Sequence, residues 1–277
     1  MTKVPTVTLA NGVEMPQLGL GVFLVPPDAV EGPVRAALEA GYRLVDTARL
    51  YGNEEGVGRA LADSGVPRDE LFVTTKVWNS DHGFDETLRA FDRSAALLGL
   101  DVVDLYLVHW PAPALDRYVE TWRALERLYA DKRVRAIGVS NFTVEHLERL
   151  RVECDRVPMV NQIELHPGFV QDGLRDYHAA HGIVTEAWSP LGRGHGLLDD
   201  STVVDIARRH GKTAAQVVLR WHLQLGFVVI PKSTHAERIR ENFDVFDFVL
   251  SDDEVEALSA LPGPGRVGPD PMTMNRT

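Results

Sequence analysis

Cysteine is almost missing from this chain. Cys154 stands alone among 277 residues, which excludes an internal disulfide framework and predicts a protein of the reducing cytoplasm. Positive charge is in deficit, with 29 Lys and Arg against 40 Asp and Glu. A formal net charge of −11 does not supply the basic surface that a phosphate-backbone partner requires, so no nucleic acid is expected to bind. Long apolar runs are absent too. The opening MTKVPTVTLANG has no apolar signal core, and a membrane partner is not expected. No Pro/Gly/Ser-rich linker or break in composition divides the sequence, which predicts one domain over residues 1–277, and no exposed apolar seam suggests anything but a monomer. No strand pattern leads into the G-x-G-x-x-G turn of a doubly wound dinucleotide fold, since LGLGVF lacks the third glycine. A G-x-S-x-G nucleophile turn and a metal triad are also missing. His178 and His181 lie three apart in DYHAAHG, where an exposed helix face is the expectation, and no metal is predicted.

What is present is a rhythm. With 44% hydrophobic and 25% charged residues, the composition is that of a globular protein with a sizeable core. Apolar, β-branched runs near residues 17–23, 42–46, 71–77, 103–109, 134–140, 158–163, 183–189 and 227–231 alternate with amphipathic helical spacing, as in TWRALERLYADKRV, where Trp122, Leu125 and Leu128 recur at three residues. Such alternation predicts parallel strands and, at this length, an α/β (β/α)8 TIM barrel. Asn11-Gly12, between alternating apolar residues, predicts an N-terminal β-hairpin closing the bottom, with both residues at positive φ. Extra C-terminal helices are expected near 200–210 and 251–260, and Gly32-Pro33 is expected to delay the first helix. The tail LPGPGRVGPDPMTMNRT reads as irregular, and as a flap over the mouth of the barrel.

Asp46, Tyr51, Lys76 and His109 follow the runs YRLV, LFVTT and VVDLYLV. The loops leaving barrel strands converge on one mouth, so these four proton-handling groups are predicted to meet there. A tyrosine with pKa about 10 is a poor proton donor near neutrality. Lys76 would lower it, and Asp46 would hold the ammonium in place. His109 would orient a carbonyl by hydrogen bonding. Taken singly, each residue has a plainer reading: a structural ion pair, a loop aromatic, a core histidine.

LVDTARLYGNEEGVG, TTKVW, DLYLVHWP, GVSNF, NQIELHP, AWSPLG and IPKSTHAERIRENFDVFDF resemble, in order, the motifs of the aldo-keto reductase family, and are most similar to its bacterial 2,5-diketo-D-gluconate reductase branch. The resemblance implies a catalytic tetrad of Asp46, Tyr51, Lys76 and His109, with Tyr51 as general acid. It also implies NADPH, with the nicotinamide carboxamide held by Ser140, Asn141 and Gln162 and the ring stacked on Trp188, where many members have tyrosine. Ser189 and Leu191 begin the loop that folds across the pyrophosphate. Lys232, Ser233 and Arg238 occupy the positions that grip the adenosine 2′-phosphate, with Glu241 and Asn242 at the adenine. Polar side chains closing apolar strands are costly to bury unpaired, which independently suggests a ligand there. Phe23, Trp78 and Trp110 would wall an apolar pocket for a small-molecule carbonyl substrate. The short stretch HWPAPALDRYVETW predicts that this pocket is open. A cofactor-binding sensor with little catalysis, or an unrelated hydrolase or isomerase on the same fold, are the competing readings.

Overall fold

The computed structural model describes residues 4–277. The N-terminal hairpin pairs β1 (Thr6–Thr8) with β2 (Glu14–Pro16) in antiparallel register. Its turn corrects one expectation: only Gly12 takes positive φ (84°). Gly12 N–H donates to Leu9 O at 2.8 Å and Leu9 N–H to Val13 O at 2.9 Å, a three-residue loop with glycine at the left-handed position. Asn11 instead turns its amide onto Arg135 O at 2.9 Å, so the hairpin tip lies against the entry of strand β7.

Eight parallel strands follow: β3 (Gly19–Gly21), β4 (Leu44–Asp46), β5 (Phe72–Val77), β6 (Val103–Val108), β7 (Val134–Ser140), β8 (Val160–Glu164), β9 (Val184–Trp188) and β10 (Val228–Val229). From β4 onward each pairs with its predecessor. Leu18 bridges Val229 in parallel, and Gly21 N–H donates to Pro231 O at 3.1 Å, which closes the sheet into the (β/α)8 barrel. Strands β5 and β6 are buried at every residue, as expected where helices cover a parallel sheet and side chains fill its interior.

Helices α1 (Glu31–Ala40), α2 (Glu54–Ala62), α3 (Phe84–Leu98), α4 (Tyr118–Ala130), α5 (Val144–Glu153), α6 (Asp172–His181), α7 (Ser201–His210), α8 (Ala214–Gln224) and α9 (Ala236–Phe243) lie between or after the strands, and α10 (Asp252–Ser259) ends the series. Two of them, α7 and α10, are the predicted additions. Gly32-Pro33 does not delay α1: Pro33 is its third residue, where the amide hydrogen it lacks would have no partner within the helix. Nor is the face of α6 fully exposed. His178 is buried and bonds Asn161 Nδ2 and Thr185 Oγ1, each at 2.9 Å, so only His181 faces outward.

Near the entry of β6, the fully buried Asp104 carboxylate accepts from Val73 N–H at 2.8 Å, Arg68 at 2.6 Å and Arg135 at 2.7 Å. It ties three successive strands to the loop before β5. At the opposite end, the tail after α10 crosses the barrel mouth. Glu164, the last residue of β8, accepts Val267 N–H at 2.6 Å and Gly268 N–H at 2.9 Å, with His166 Nε2 at 3.2 Å. Burial works to raise this carboxyl, yet His166 and the two amides together hold it below the ordinary range. A Cβ at Gly268 would come within 2.4 Å of the Trp188 indole, so only glycine lets the tail lie this close.

Asp104→Ala should lower unfolding free energy by about 2–3 kcal/mol, because it removes charge-assisted bonds and orphans the Val73 amide while both arginines can rehydrate; urea denaturation measures this. Glu164→Gln tests the tail latch. Because the folded pKa is depressed, the latch contributes fully above the ordinary carboxylate pKa and is lost as pH falls through the lowered one. The Tm advantage of wild type over Glu164→Gln should therefore be present at pH 7 and shrink in acid; a difference that is flat with pH would contradict it.

Candidate active site

The last residue of β4 is Asp46, and the chain then reverses sharply. Tyr51 N–H donates to Ala48 O at 2.9 Å, a single 3₁₀ turn spans Arg49–Tyr51, and Gly52 takes φ 67°. The buried Asn53 fixes this turn. Its Nδ2 donates to Val22 O and Val25 O at 3.1 Å each, and its Oδ1 accepts from Thr47 at 2.7 Å. Sequence reasoning missed Asn53, although an asparagine after a Y-G pair is a turn signal in itself. The result brings the Tyr51 phenol back over the strand ends.

Lys76, in β5 and fully buried, donates to Asp46 Oδ1 at 2.6 Å, Asp46 Oδ2 at 2.8 Å and Thr47 O at 3.0 Å, and lies 3.4 Å from Tyr51 Oη. Burial alone would lower the Lys76 pKa, but Asp46 and Tyr51 outweigh it and leave it raised. Burial raises Asp46, against the pull of Lys76 and Gln162. The expected lowering of Tyr51 is overridden. Lys76 does favour the phenolate, yet burial dominates and Asp46 adds to it, so the phenol is pushed up to about 12. Tyr51 is accordingly protonated at neutral pH. His109 follows β6, with its ring edge-on to Tyr51 (5.7 Å) and Trp78 (5.2 Å). Burial, then Lys76 and His82, drive its pKa well below the usual value, so the imidazole is neutral. All four residues meet.

On the far wall, Gln162 Nε2 donates both to Asp46 Oδ2 at 2.7 Å and to Glu186 Oε2 at 3.0 Å. Two carboxyl groups facing one amide fix its orientation, and Gln162 Oε1 accepts no hydrogen bond among the described residues. That oxygen fits an incoming amide N–H. Ser140 donates to Gln162 O at 2.8 Å, while Asn141 donates to His109 O and Ser140 Oγ at 3.0 Å each and accepts from Trp188 Nε1 at 2.8 Å. Asn141 thus braces its neighbours and holds the indole edge. Glu186 was not anticipated from sequence; the signal was a carboxylate inside the apolar strand VTEAW. Burial and then Asp46 push it up to about 8, against Gln162 and Lys76.

These groups surround a cavity of about 420 Å³. Phe23, Trp78 and Trp110 line it as predicted, as do Ser189, Leu191 and Lys232. Pro269, Met274 and Arg276 of the tail line it as well, so the flap lies across a pocket expected to be open. Ser233, Arg238, Glu241 and Asn242 do not line it. Ser233 Oγ accepts from His235 N–H at 3.1 Å, Glu241 accepts from Thr213 at 2.9 Å, Asn242 is buried and Arg238 is exposed on α9.

Residues 17–262 match the Aldo/keto reductase family. The chain is 55% identical over 273 residues to an aldo-keto reductase of Mycolicibacterium smegmatis, covering 99% of each. It is 54% identical over 268 residues to the glyoxal reductase of Bacillus subtilis, covering 96% of each. A crystal structure of a Gox0644 mutant in complex with NADPH superimposes with a TM-score of 0.94 at 51% identity, over 98% of this chain and 99% of that one. NADPH is the ligand of that relative, and the open Gln162 oxygen beside the cavity of this chain suits a carboxamide such as the one NADPH carries. Near-complete coverage at this identity and the barrel with its mouth together show that the chain belongs to the aldo-keto reductase family of oxidoreductases.

Proposed function

We propose that this protein reduces aldehydes and ketones to alcohols with NADPH, Tyr51 donating the proton. The observation that carries the reading is the Tyr51 phenol 3.4 Å from a Lys76 ammonium that Asp46 holds with both oxygens, beside a neutral His109 at the floor of an apolar cavity. When bound, NADPH supplies a hydride to the carbonyl carbon. Tyr51 meets the negative charge that develops on the carbonyl oxygen and gives up its proton there. Lys76 stabilises the phenolate left behind, and this contribution is larger in the transition state than before it, as catalysis requires. His109 orients the carbonyl oxygen toward Tyr51. Ser140, Asn141 and Gln162 would hold the carboxamide and Trp188 the ring. Lys232 would meet the adenosine 2′-phosphate, with Arg238 on the following helix α9 and Ser233, Glu241 and Asn242 shaping that end.

We further propose small dicarbonyls, including α-diketones and keto-sugar acids, as substrates. The similarity to a glyoxal reductase and the resemblance to the 2,5-diketo-D-gluconate reductase branch both support this class. The chain works in this reading as a single domain and a monomer of the cytoplasm, without nucleic-acid partners. No helix among the described residues is long and apolar enough to cross a membrane.

Tyr51→Phe should lower kcat by about 10²–10⁴-fold, while NADPH quenching of protein fluorescence titrates with a midpoint near that of wild type; near-normal turnover would remove Tyr51 as the donor. The donor must be protonated and burial pushes its pKa up to about 12, so reduction should show no Tyr51 limb between pH 6 and 8 and should lose activity only well into alkali, as pH rises toward that raised pKa. A pH–rate profile of wild type reads this directly.

A further inference from the structure

We infer that Glu186 is a specificity-determining residue: it positions the Gln162 amide so that the site prefers a nicotinamide whose side group carries an amide N–H. The inference rests on the reading that places the NADPH carboxamide at Gln162, and deepens it.

Glu186 and Gln162 are register partners in the parallel pairing of β8 with β9, so their side chains leave the sheet on the same side. On β10 the partner of Glu186 is Val228, whose side chain offers no polar atom. Glu186 is fully buried and does not reach the cavity that Gln162 lines. Its Oε2 accepts from Gln162 Nε2 at 3.0 Å, and its Oε1 has no hydrogen-bond partner among the described residues. A carboxyl group is thus stripped of water for a single bond to one amide. Desolvation costs more than such a bond returns. Stability therefore does not account for a glutamate here, whereas control of that amide does.

A glutamine amide carries two N–H donors on one nitrogen. With one engaged, the group still turns about its broad terminal torsion; with both engaged, its plane is fixed. Asp46 Oδ2 takes the first at 2.7 Å and decides which end of the amide faces it, since the reverse orientation would set Oε1 against a carboxylate oxygen. Glu186 takes the second and sets the plane. Asp46 is shared with Lys76, while Glu186 acts on Gln162 alone. Gln162 Oε1 is thereby held as an acceptor of fixed direction, and hydrogen bonds weaken steeply as they bend. A ligand N–H benefits from that direction, and a ligand methyl group in its place does not. Burial and then Asp46 put the Glu186 pKa at about 8, so the acid is mostly protonated at neutrality and glutamine is its closest substitute.

The test measures quenching of protein fluorescence by NADP⁺ and by its acetylpyridine analogue, which keeps the ring carbonyl and has a methyl group where the carboxamide has its amide nitrogen. Wild type should bind NADP⁺ about tenfold more tightly than the analogue. In Glu186→Met, which keeps the volume without a strong acceptor, that ratio should fall about fivefold through weaker NADP⁺ binding, and Glu186→Gln should restore it. Glu186→Thr, whose hydroxyl stops short of Gln162, should show the same fall and decides the matter where Glu186→Met does not fold. Adenosine 2′,5′-bisphosphate, which lacks the nicotinamide, should bind every variant as it binds wild type. A ratio unchanged from wild type in Glu186→Met or Glu186→Thr would overturn the role, as would a loss shared equally by the bisphosphate and both dinucleotides, which marks general damage to the barrel. Equal binding of NADP⁺ and the analogue by wild type itself would instead reject the placement of the carboxamide at Gln162, and the role of Glu186 with it.

Discussion

Two opposite charges buried at the end of a β-barrel set the terms for everything around them. Asp46 and Lys76 are nearly or fully removed from water, and removing an ion from water costs several kcal/mol unless its remaining hydrogen-bonding capacity is used. Here it is used. Thr47 O and Tyr51 Oη complete the ammonium, and Gln162 completes the carboxylate. The burial that the pair endures also sets the protonation of its neighbours, with the pair's charges adjusting it. Desolvation keeps His109 neutral with Lys76 adding to it, raises Glu186 with Asp46 adding to it, and leaves Tyr51 protonated against the pull of Lys76. A neutral acid, a neutral hydrogen-bonding imidazole and a fixed ammonium are what proton transfer to a forming alkoxide needs. Deep burial and the ion pair act together here: desolvation keeps the phenol and the imidazole neutral, and Asp46 keeps Lys76 charged despite it.

The fold makes such a cluster tolerable. Parallel strands covered by helices bury both faces, so a polar side chain finds room only at strand ends, where loops and backbone carbonyls offer partners. Strain collects at the same level. Asn141 after β7 and Ser189 after β9 take φ of 63° and 50°, conformations that cost of order 1 kcal/mol or more for residues other than glycine. Each turns the chain just past a strand, and Asn141 is thereby placed to reach His109 and Trp188 together.

The barrel was legible because its strands are short β-branched runs bounded by helical spacing, a pattern independent of tertiary detail. The meeting of Asp46, Tyr51, Lys76 and His109 was legible for a similar reason: each sits within a few residues of a strand exit. What escaped was set by contacts distant in sequence. Asn53 acts through the carbonyls of Val22 and Val25, and Glu186 through Gln162. His178 looked like a surface histidine until strands β8 and β9 supplied Asn161 and Thr185. Nothing local distinguishes those side chains. The sign of the Tyr51 shift escaped as well, since a neighbouring charge is visible in a motif whereas desolvation depends on the whole surrounding packing.

The tail, irregular in sequence, is joined to the chemistry by a continuous set of contacts. Gln162 and Glu164 lie two apart on β8, and residues so spaced share one face of a strand. One of them faces Asp46, while the other, at the strand's end, holds the tail amides. Glu164 is also the register partner of Trp188, against which Gly268 is pressed. From that indole a bond runs to Asn141, and from Asn141 to the carbonyl of His109. A displaced tail therefore removes more than one wall of the cavity. It frees the face of Trp188 that Gly268 covers, and with it one end of the chain that positions His109. Docking of the tail and order around Tyr51, His109 and Lys76 are in this sense a single packing arrangement.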